Sequence, residues 1–140
     1  MKTTFFCSAD PIYFYRGHGS SGVLDLLGRP FNADSWNCWI LCRKVYQRLG
    51  KPELPEYPYV ADLKDRAAMA DGWRAQFVRL ESPQPWCIVV LAHRAGIIHT
   101  GIVLPDCEHF LHVREQCGTV VSPIKRWKHQ VEGYYDYAGN

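Results

Sequence analysis

The sequence predicts an α+β domain in which N-terminal helices pack on a C-terminal antiparallel β-sheet. The first half has helical periodicity, the second half has short β-type segments, and prolines separate the two. Helices followed by a series of short strands are typical of this fold class. The 140 residues are 47% hydrophobic and 21% charged, without an internal repeat, which predicts a single globular domain over residues 1–140.

The N-terminal half is predicted to contain an irregular lead-in followed by one main helix. Glycines interrupt the short apolar pieces of residues 1–26, and only a short helix is expected near residues 23–27. Residues 28–31 form a turn. The main helix is predicted over residues 38–49, because apolar or small side chains recur there with a period of 3.6 residues and Gly50 follows.

A change from helix to strand is predicted in the middle of the chain. Three prolines in residues 51–59 predict an extended connector, and a second helix is expected over residues 61–73. Beyond Pro85 the β-type segments are separated by turn signals. The predicted strands span residues 86–92, 97–104, 110–114, 118–122 and 132–137.

Composition limits the class of partner and the compartment. The net charge is +2 and no basic run exceeds two residues, so no nucleic-acid partner is expected. No segment approaches the roughly 18 consecutive apolar residues of a membrane span. The N-terminus lacks a signal-peptide core, which predicts cytoplasmic synthesis without a signal peptide. The number of cysteines is even, at six, but the missing signal argues against a disulfide framework.

Cys38, at the predicted start of the main helix, is the most informative residue. A helix N-terminus carries partial positive charge that stabilises a thiolate, so Cys38 is a candidate nucleophile. His99 and His112 lie in successive predicted strands, and antiparallel pairing can place two such residues side by side. Each signal is weak alone, because a cysteine on an apolar helix face is usually a core residue.

Other interpretations of the same residue types compete with this one. Four potential zinc ligands fall within eleven residues: Cys107, His109, His112 and Cys117. Their spacing does not match the common zinc knuckles, and His109 and His112 would face opposite sides of a strand, so no metal site is predicted. The glycine-rich segment around His18 lacks the lysine of a P-loop, and the basic cluster at residues 125–129 is expected to be a solvated face.

Several motifs resemble those of the NlpC-type cysteine endopeptidases, papain-like enzymes of bacterial cell-wall turnover. The resemblance covers about residues 27–137. Residues 28–31 (GRPF) are similar to the family's Gly-x-Pro-Tyr turn, and residues 37–41 (NCWIL) to its Asp-Cys-Ser/Trp-Gly-Leu motif. Residues 99–103 (HTGIV) are similar to the strand that carries the catalytic base, and residues 110–113 (FLHV) to the strand that carries the third polar residue.

The resemblance implies a papain-like fold and a Cys-His-His triad. Cys38 would be the nucleophile, His99 the general acid and base, and His112 the residue that orients His99. The resemblance also implies that three residues bind substrate: Phe31, Asn37 and Trp39. The family's substrates are stem peptides of peptidoglycan, often cut at a γ-D-glutamyl–diamino-acid bond, and no cofactor or metal is implied.

Two departures from the family pattern bear on substrate choice. Asn37 replaces an aspartate that meets the substrate's ammonium, and Phe31 replaces a tyrosine. Charge-assisted hydrogen bonds are roughly twice as strong as neutral ones, so selection for a free amine should be weaker here.

The Cys-Trp pair and the missing signal peptide are similar to the phage tail-associated branch of the family. The leading hypothesis is therefore a peptidoglycan hydrolase of a phage or prophage tail module. It would contact stem peptides and other tail proteins, and would reach the virion tail, the periplasm or the cell wall. The alternatives are an inactive structural tail or interaction protein with the same fold, or an amidase, acyltransferase or delivered toxin that uses the same triad.

Overall fold

A six-stranded antiparallel sheet forms the centre of the computed structural model, which describes residues 21–57, 75–93 and 96–139. The strands are β1 (Val78–Leu80), β2 (Ile88–His93), β3 (Gly96–Val103), β4 (His109–Arg114), β5 (Gly118–Pro123) and β6 (Val131–Asp136). Their spatial order is β1-β6-β2-β3-β4-β5, and each neighbouring pair is antiparallel. Strands β2 to β5 therefore form a meander, and β6 returns to pair with β2.

Two α-helices and a 3₁₀ helix accompany the sheet within the described ranges. They are α1 (Ser21–Leu24), α2 (Cys38–Arg48) and the 3₁₀ helix Ile124–Trp127. Helix α2 matches the predicted main helix closely, and Gly50 just beyond it has a φ of +70°, which glycine adopts without strain. None of the helices in this part of the chain is long and apolar enough to cross a membrane.

Five of the strands agree with the predicted ones to within two residues at each end. Strand β1 was not predicted; it has three residues and lies at the sheet edge with Val78 and Arg79 exposed. The 3₁₀ helix was not predicted either. The helix expected at residues 61–73 and residues 1–20 of the lead-in lie outside the described residues.

The sheet has apolar side chains packed on both of its faces. Helix α2 packs against β3 and β4 through its buried side chains, which are Trp39, Leu41, Cys42, Val45 and Tyr46. On the opposite face a second cluster contains Val89, Leu91, Val103, Phe110 and Ile124, with Trp127 packed against it. Burial on both faces explains why β2 reads as a continuous apolar run rather than an alternating one.

The cysteines bear on two expectations, one about disulfides and one about a metal site. Cys117 is disulfide-bonded, so the argument against disulfides was wrong for this residue. The other cysteines in the described part of the chain are free: Cys38, Cys42, Cys87 and Cys107. Among the described residues no group of three or more histidine, cysteine or acidic side chains is arranged to hold a metal ion.

Candidate active site

Asn37 determines where helix α2 begins. Its backbone is extended, and its Oδ1 atom accepts hydrogen bonds from the backbone N–H groups of Trp39 and Ile40, both at 3.0 Å. Its Nδ2 atom donates to the carbonyl oxygen of Ala33 at 2.9 Å. Asparagine is among the preferred N-cap residues because its side chain replaces the missing intrahelical acceptor. The buried Asn37 side chain thus fixes Cys38 as the first residue of the helix.

The backbone N–H of Cys38 is left as an unused donor. Asn37 binds the next two N–H groups, and the N–H of Cys38 has no acceptor among the described residues. The first N–H groups of a helix have no intrahelical partner and point along the positive end of its dipole. A donor in this position can stabilise negative charge that develops on a carbonyl oxygen beside the Cys38 sulfur.

A series of polar side chains runs from the sulfur of Cys38 into the sheet. His99 on β3 interacts with the thiol of Cys38 and lowers its pKa. Nε2 of His99 lies 2.8 Å from Nδ1 of His112 on β4. Nε2 of His112 in turn lies 2.8 Å from Oγ of Ser122 on β5. Because Nε2 of His99 faces His112, its Nδ1 is the ring nitrogen left for the sulfur.

Gly101 explains how the two histidines come together. The pairing of Ile102 with Leu111, continued by one residue, places Gly101 opposite His112. A Cβ atom on Gly101 would lie 2.8 Å from the carbonyl oxygen of Leu111, 2.8 Å from the Phe110 ring and 3.2 Å from Cβ of His112. Strand β4 therefore approaches β3 more closely than a side chain allows. The His112 ring can reach His99, which lies two residues from Gly101 on the same face.

The Cys38 thiol has a lowered pKa. Burial alone would raise it, but the hydrogen bond and charge of His99, helped by the side chain and backbone of Thr100, outweigh burial and lower the pKa to about 7. Values in this range are typical of reactive cysteines near a helix N-terminus and a histidine. Cys38 is also partly accessible at the surface, as a nucleophile must be.

The other free thiols of the described residues show the opposite behaviour. Burial raises the pKa of Cys42, which lies one turn further along α2 with its sulfur 3.8 Å from Oγ1 of Thr100. Burial also raises the pKa of Cys87 to about 11. The pKa of Cys107 is raised by burial and by the neighbouring carboxylates of Asp106 and Glu108. These thiols have the character of inert structural cysteines.

His112 is held in its neutral form. It is completely buried, and burial lowers its pKa well below the ordinary value, with the charges of His99 and Arg114 adding to the effect. Its ring stacks on Phe110 with centroids 4.3 Å apart and meets the edge of Trp127 at 5.6 Å. A neutral ring so enclosed can orient His99 through a hydrogen bond but is poorly suited to carry charge.

The turn at residues 28–31 is fastened to the start of β5. Thr119 donates from its backbone N–H and its hydroxyl to the carbonyl oxygen of Arg29, both at 2.9 Å. The Trp36 indole donates to the Thr119 hydroxyl at 2.7 Å, and the Arg29 guanidinium lies 3.8 Å from the centre of the Trp36 ring. These contacts fix the loop that leads into the Cys38 helix.

Of the three predicted substrate-binding residues, Asn37 and Trp39 flank Cys38 in the sequence at the start of α2. The buried Trp39 donates its indole N–H to the carbonyl oxygen of Pro55 at 2.7 Å. Phe31 is half-buried and packs against the core cluster that contains the buried side chains of α2. Asn37 uses its oxygen and one of its N–H bonds within the protein. Their contact with a substrate stays a prediction.

Three residues of this site were not predicted from the sequence: Thr100, Gly101 and Ser122. Ser122 had a usable signal, since it is a polar residue that follows the apolar pair Val120 and Val121 within a predicted strand. Buried polar side chains need a hydrogen-bond partner, so such a serine points to a polar group on the neighbouring strand.

Comparisons with known proteins define the fold but not the family. No protein-family model matches the chain, and no curated protein is significantly similar to it. The fold is similar to that of a solved Staphylococcus aureus protein of the NLP/P60 family, described as similar to lipoprotein, with a TM-score of 0.55 and 20% sequence identity. The similarity covers 86% of this chain and 40% of that one, so the chain spans less than half of that protein's length.

Proposed function

We propose that this chain is an NlpC-type cysteine peptidase that hydrolyses the stem peptides of bacterial peptidoglycan. The observation that carries the proposal is a Cys38 thiol at the N-terminus of α2 whose pKa is lowered by His99, together with the 2.8 Å hydrogen bond between His99 and His112. The fold similarity to an NLP/P60 protein and the motifs at residues 28–31, 37–41 and 99–103 support the substrate class.

The arrangement fits a two-step acyl transfer. The Cys38 thiolate attacks the amide carbonyl, and the backbone N–H of Cys38 stabilises the resulting oxyanion. His99 then gives the proton on Nδ1 to the leaving amine, and a thioester remains. In the second step His99 takes a proton from water, which attacks the thioester and releases the acid. Throughout, the neutral His112 accepts a hydrogen bond from Nε2 of His99 and stabilises its positive charge.

The environment of Asn37 supports a difference in substrate selection. Its side chain is uncharged and its oxygen already accepts two backbone hydrogen bonds. A substrate ammonium therefore finds no carboxylate at this position, and recognition must depend less on a free amine. We expect stem peptides with a blocked N-terminus to be cut nearly as well as those with a free one.

The setting that we propose is a phage or prophage tail module that acts in the periplasm or cell wall. In that setting the chain would contact stem peptides and other tail proteins. The disulfide at Cys117 favours such a location, because disulfides persist in oxidising compartments and are rare in a reducing cytoplasm.

The direct test compares Cys38→Ala with Cys42→Ala on purified peptidoglycan, with the released fragments identified by mass spectrometry. The two thiols lie one turn apart on the same helix, but His99 lowers the pKa of Cys38 whereas burial raises that of Cys42. We expect Cys38→Ala to abolish fragment release and Cys42→Ala to retain it. Equal release by wild type and Cys38→Ala would contradict the proposal, and the fragment masses identify the bond that is cut.

The second candidate is a scaffold with the same fold and no turnover, which the changes at Asn37 and Phe31 favour. Alkylation by iodoacetamide at pH 6, followed by peptide mapping, separates the two. An active thiolate predicts selective labelling of Cys38, because burial raises the pKa of Cys42 and Cys87. A Cys38 that labels no faster than a free thiol would favour the scaffold.

An acyltransferase would instead join the acyl fragment to an added amine.

A further inference from the structure

We propose that Ser122 is a positioning residue of this site, whose hydroxyl fixes the tautomer of His112. Oγ of Ser122 lies 2.8 Å from Nε2 of His112, and Nδ1 of His112 lies 2.8 Å from Nε2 of His99. Ser122 therefore acts two steps away from the reacting sulfur. The inference rests on the proposed pairing of Cys38 with His99.

The proton count decides the direction of the hydrogen bonds. When Cys38 is a thiolate and His99 holds its proton, both ring nitrogens of His99 are donors. Nδ1 of His112 must then present its lone pair. A neutral imidazole has a single N–H, so that proton must lie on Nε2 of His112. This N–H needs an acceptor, and Oγ of Ser122 is in position to accept it.

Among the described residues, Ser122 is the hydrogen-bond partner that Nε2 of His112 has. The ring stacks on Phe110, meets Trp127 nearly at a right angle and is completely buried. The charged groups that face it, His99 and Arg114, are both basic and oppose a second proton on the ring. Ser122 is itself buried, and its hydroxyl has no other side-chain partner among the described residues.

Loss of the hydroxyl should release the competing tautomer. Without the Ser122 hydroxyl, a proton on Nε2 of His112 would be a buried N–H with no acceptor. The tautomer with its proton on Nδ1 avoids that cost and becomes favoured. That form places an N–H of His112 against an N–H of the His99 imidazolium. The imidazolium is then destabilised, and the Cys38 thiolate with it.

The experiment uses Ser122→Ala, Ser122→Thr and the control Val121→Ala in the full chain. Val121 is the neighbouring buried residue but belongs to the core cluster on the α2 side of the sheet, away from His112. The readouts are the ¹⁵N shifts of the His112 ring and the pH profile of Cys38 alkylation by iodoacetamide. Both are independent of any peptidoglycan substrate.

For Ser122→Ala we expect a mixture of the two His112 tautomers. The rate of Cys38 alkylation at pH 6 should fall by about tenfold, because one hydrogen bond to a charged group is weakened. Ser122→Thr should restore both readouts, and Val121→Ala should lower stability without changing either. If Ser122→Ala does not fold, Ser122→Cys, a weaker acceptor of similar size, should give an intermediate loss.

Two results would overturn the inference. One is a wild-type His112 that carries its proton on Nδ1, a measurement that requires no variant. The other is a Ser122→Ala protein whose tautomer and alkylation profile equal those of wild type. A wild type that alkylates readily but releases no peptidoglycan fragments would refute the proposed function alone, because the role of Ser122 is read from the histidine and the sulfur.

Discussion

Replacing Gly101 by alanine would place a methyl group against strand β4. The new Cβ would lie 2.8 Å from the carbonyl oxygen of Leu111 and 2.8 Å from the ring of Phe110. Favourable contacts of carbon atoms begin near 3.5 Å, so the strands must separate by roughly 0.7 Å. The Leu111 oxygen belongs to the backbone and cannot rotate away. Overpacking of this kind typically costs about 1–3 kcal/mol of stability.

The same displacement would weaken the contact between the two histidines. His112 is opposite Gly101 and moves with β4, so its 2.8 Å contact with His99 would lengthen to roughly 3.5 Å, beyond the normal hydrogen-bond range. A hydrogen bond to a charged group contributes about 1.5–3 kcal/mol. We therefore expect alkylation of Cys38 at pH 6 to slow by about tenfold or more.

Two measurements on each variant test this reasoning: denaturant unfolding and the pH profile of Cys38 alkylation. Gly22→Ala is the matched control, because a Cβ atom at Gly22 meets no described residue within 4 Å. It should leave the alkylation profile unchanged and keep or slightly raise stability, since alanine favours helix. If Gly101→Ala unfolds at the same denaturant concentration as wild type and its Cys38 is alkylated at the same rate, the close approach of β3 and β4 does not determine the contact between His99 and His112.

Two further predictions concern the helix start and the buried ring. Asn37→Ala should cost about 1 kcal/mol of unfolding free energy, because two helix N–H groups lose their acceptor, and chemical denaturation measures this directly. The pKa of His112 is lowered in the folded protein, so the unfolded chain binds more protons below the ordinary value of about 6.5. The unfolding free energy should therefore fall as the pH decreases from 7 to 5. His112→Asn should reduce this pH dependence of the unfolding free energy. An equally steep fall in the variant would show that other groups cause it.

Most of the fold could be predicted because the signals are local. The period of α2 and the turn residues between β2 and β6 depend on neighbours in sequence, and these elements agree closely with their predicted bounds. Strand β1 could not be predicted in the same way. Its three residues are too few to show alternation, and it exists because it pairs with β6 at the sheet edge.

The details of the candidate site depend on contacts that sequence patterns do not contain. Alternation indicated that His99 and His112 could lie side by side, but their contact requires the missing side chain at Gly101. Ser122 reaches the same ring from the next strand, ten residues further along. Such contacts depend on register and on distances of less than 1 Å, and these emerge only when the strands are assembled.

The disulfide at Cys117 shows a different kind of limit. The prediction against it came from an argument about export, not from the position of the sulfur atom. Whether a bond forms depends on whether two sulfur atoms meet with suitable geometry in the fold, and residue spacing does not determine this.

Asn37 illustrates how one side chain can affect both the architecture and the chemistry of the site. It accepts from the N–H groups of Trp39 and Ile40, and the N–H of Cys38, next to the sulfur, has no acceptor within the described part of the chain. An aspartate could make the same two hydrogen bonds, and its charge would also attract a substrate ammonium. That charge would lie beside the thiolate, however, and would raise the pKa of the Cys38 thiol by repulsion. With asparagine the helix keeps its cap without this repulsion, so the lowered pKa of Cys38 depends on His99 and Thr100 without an opposing charge at the cap.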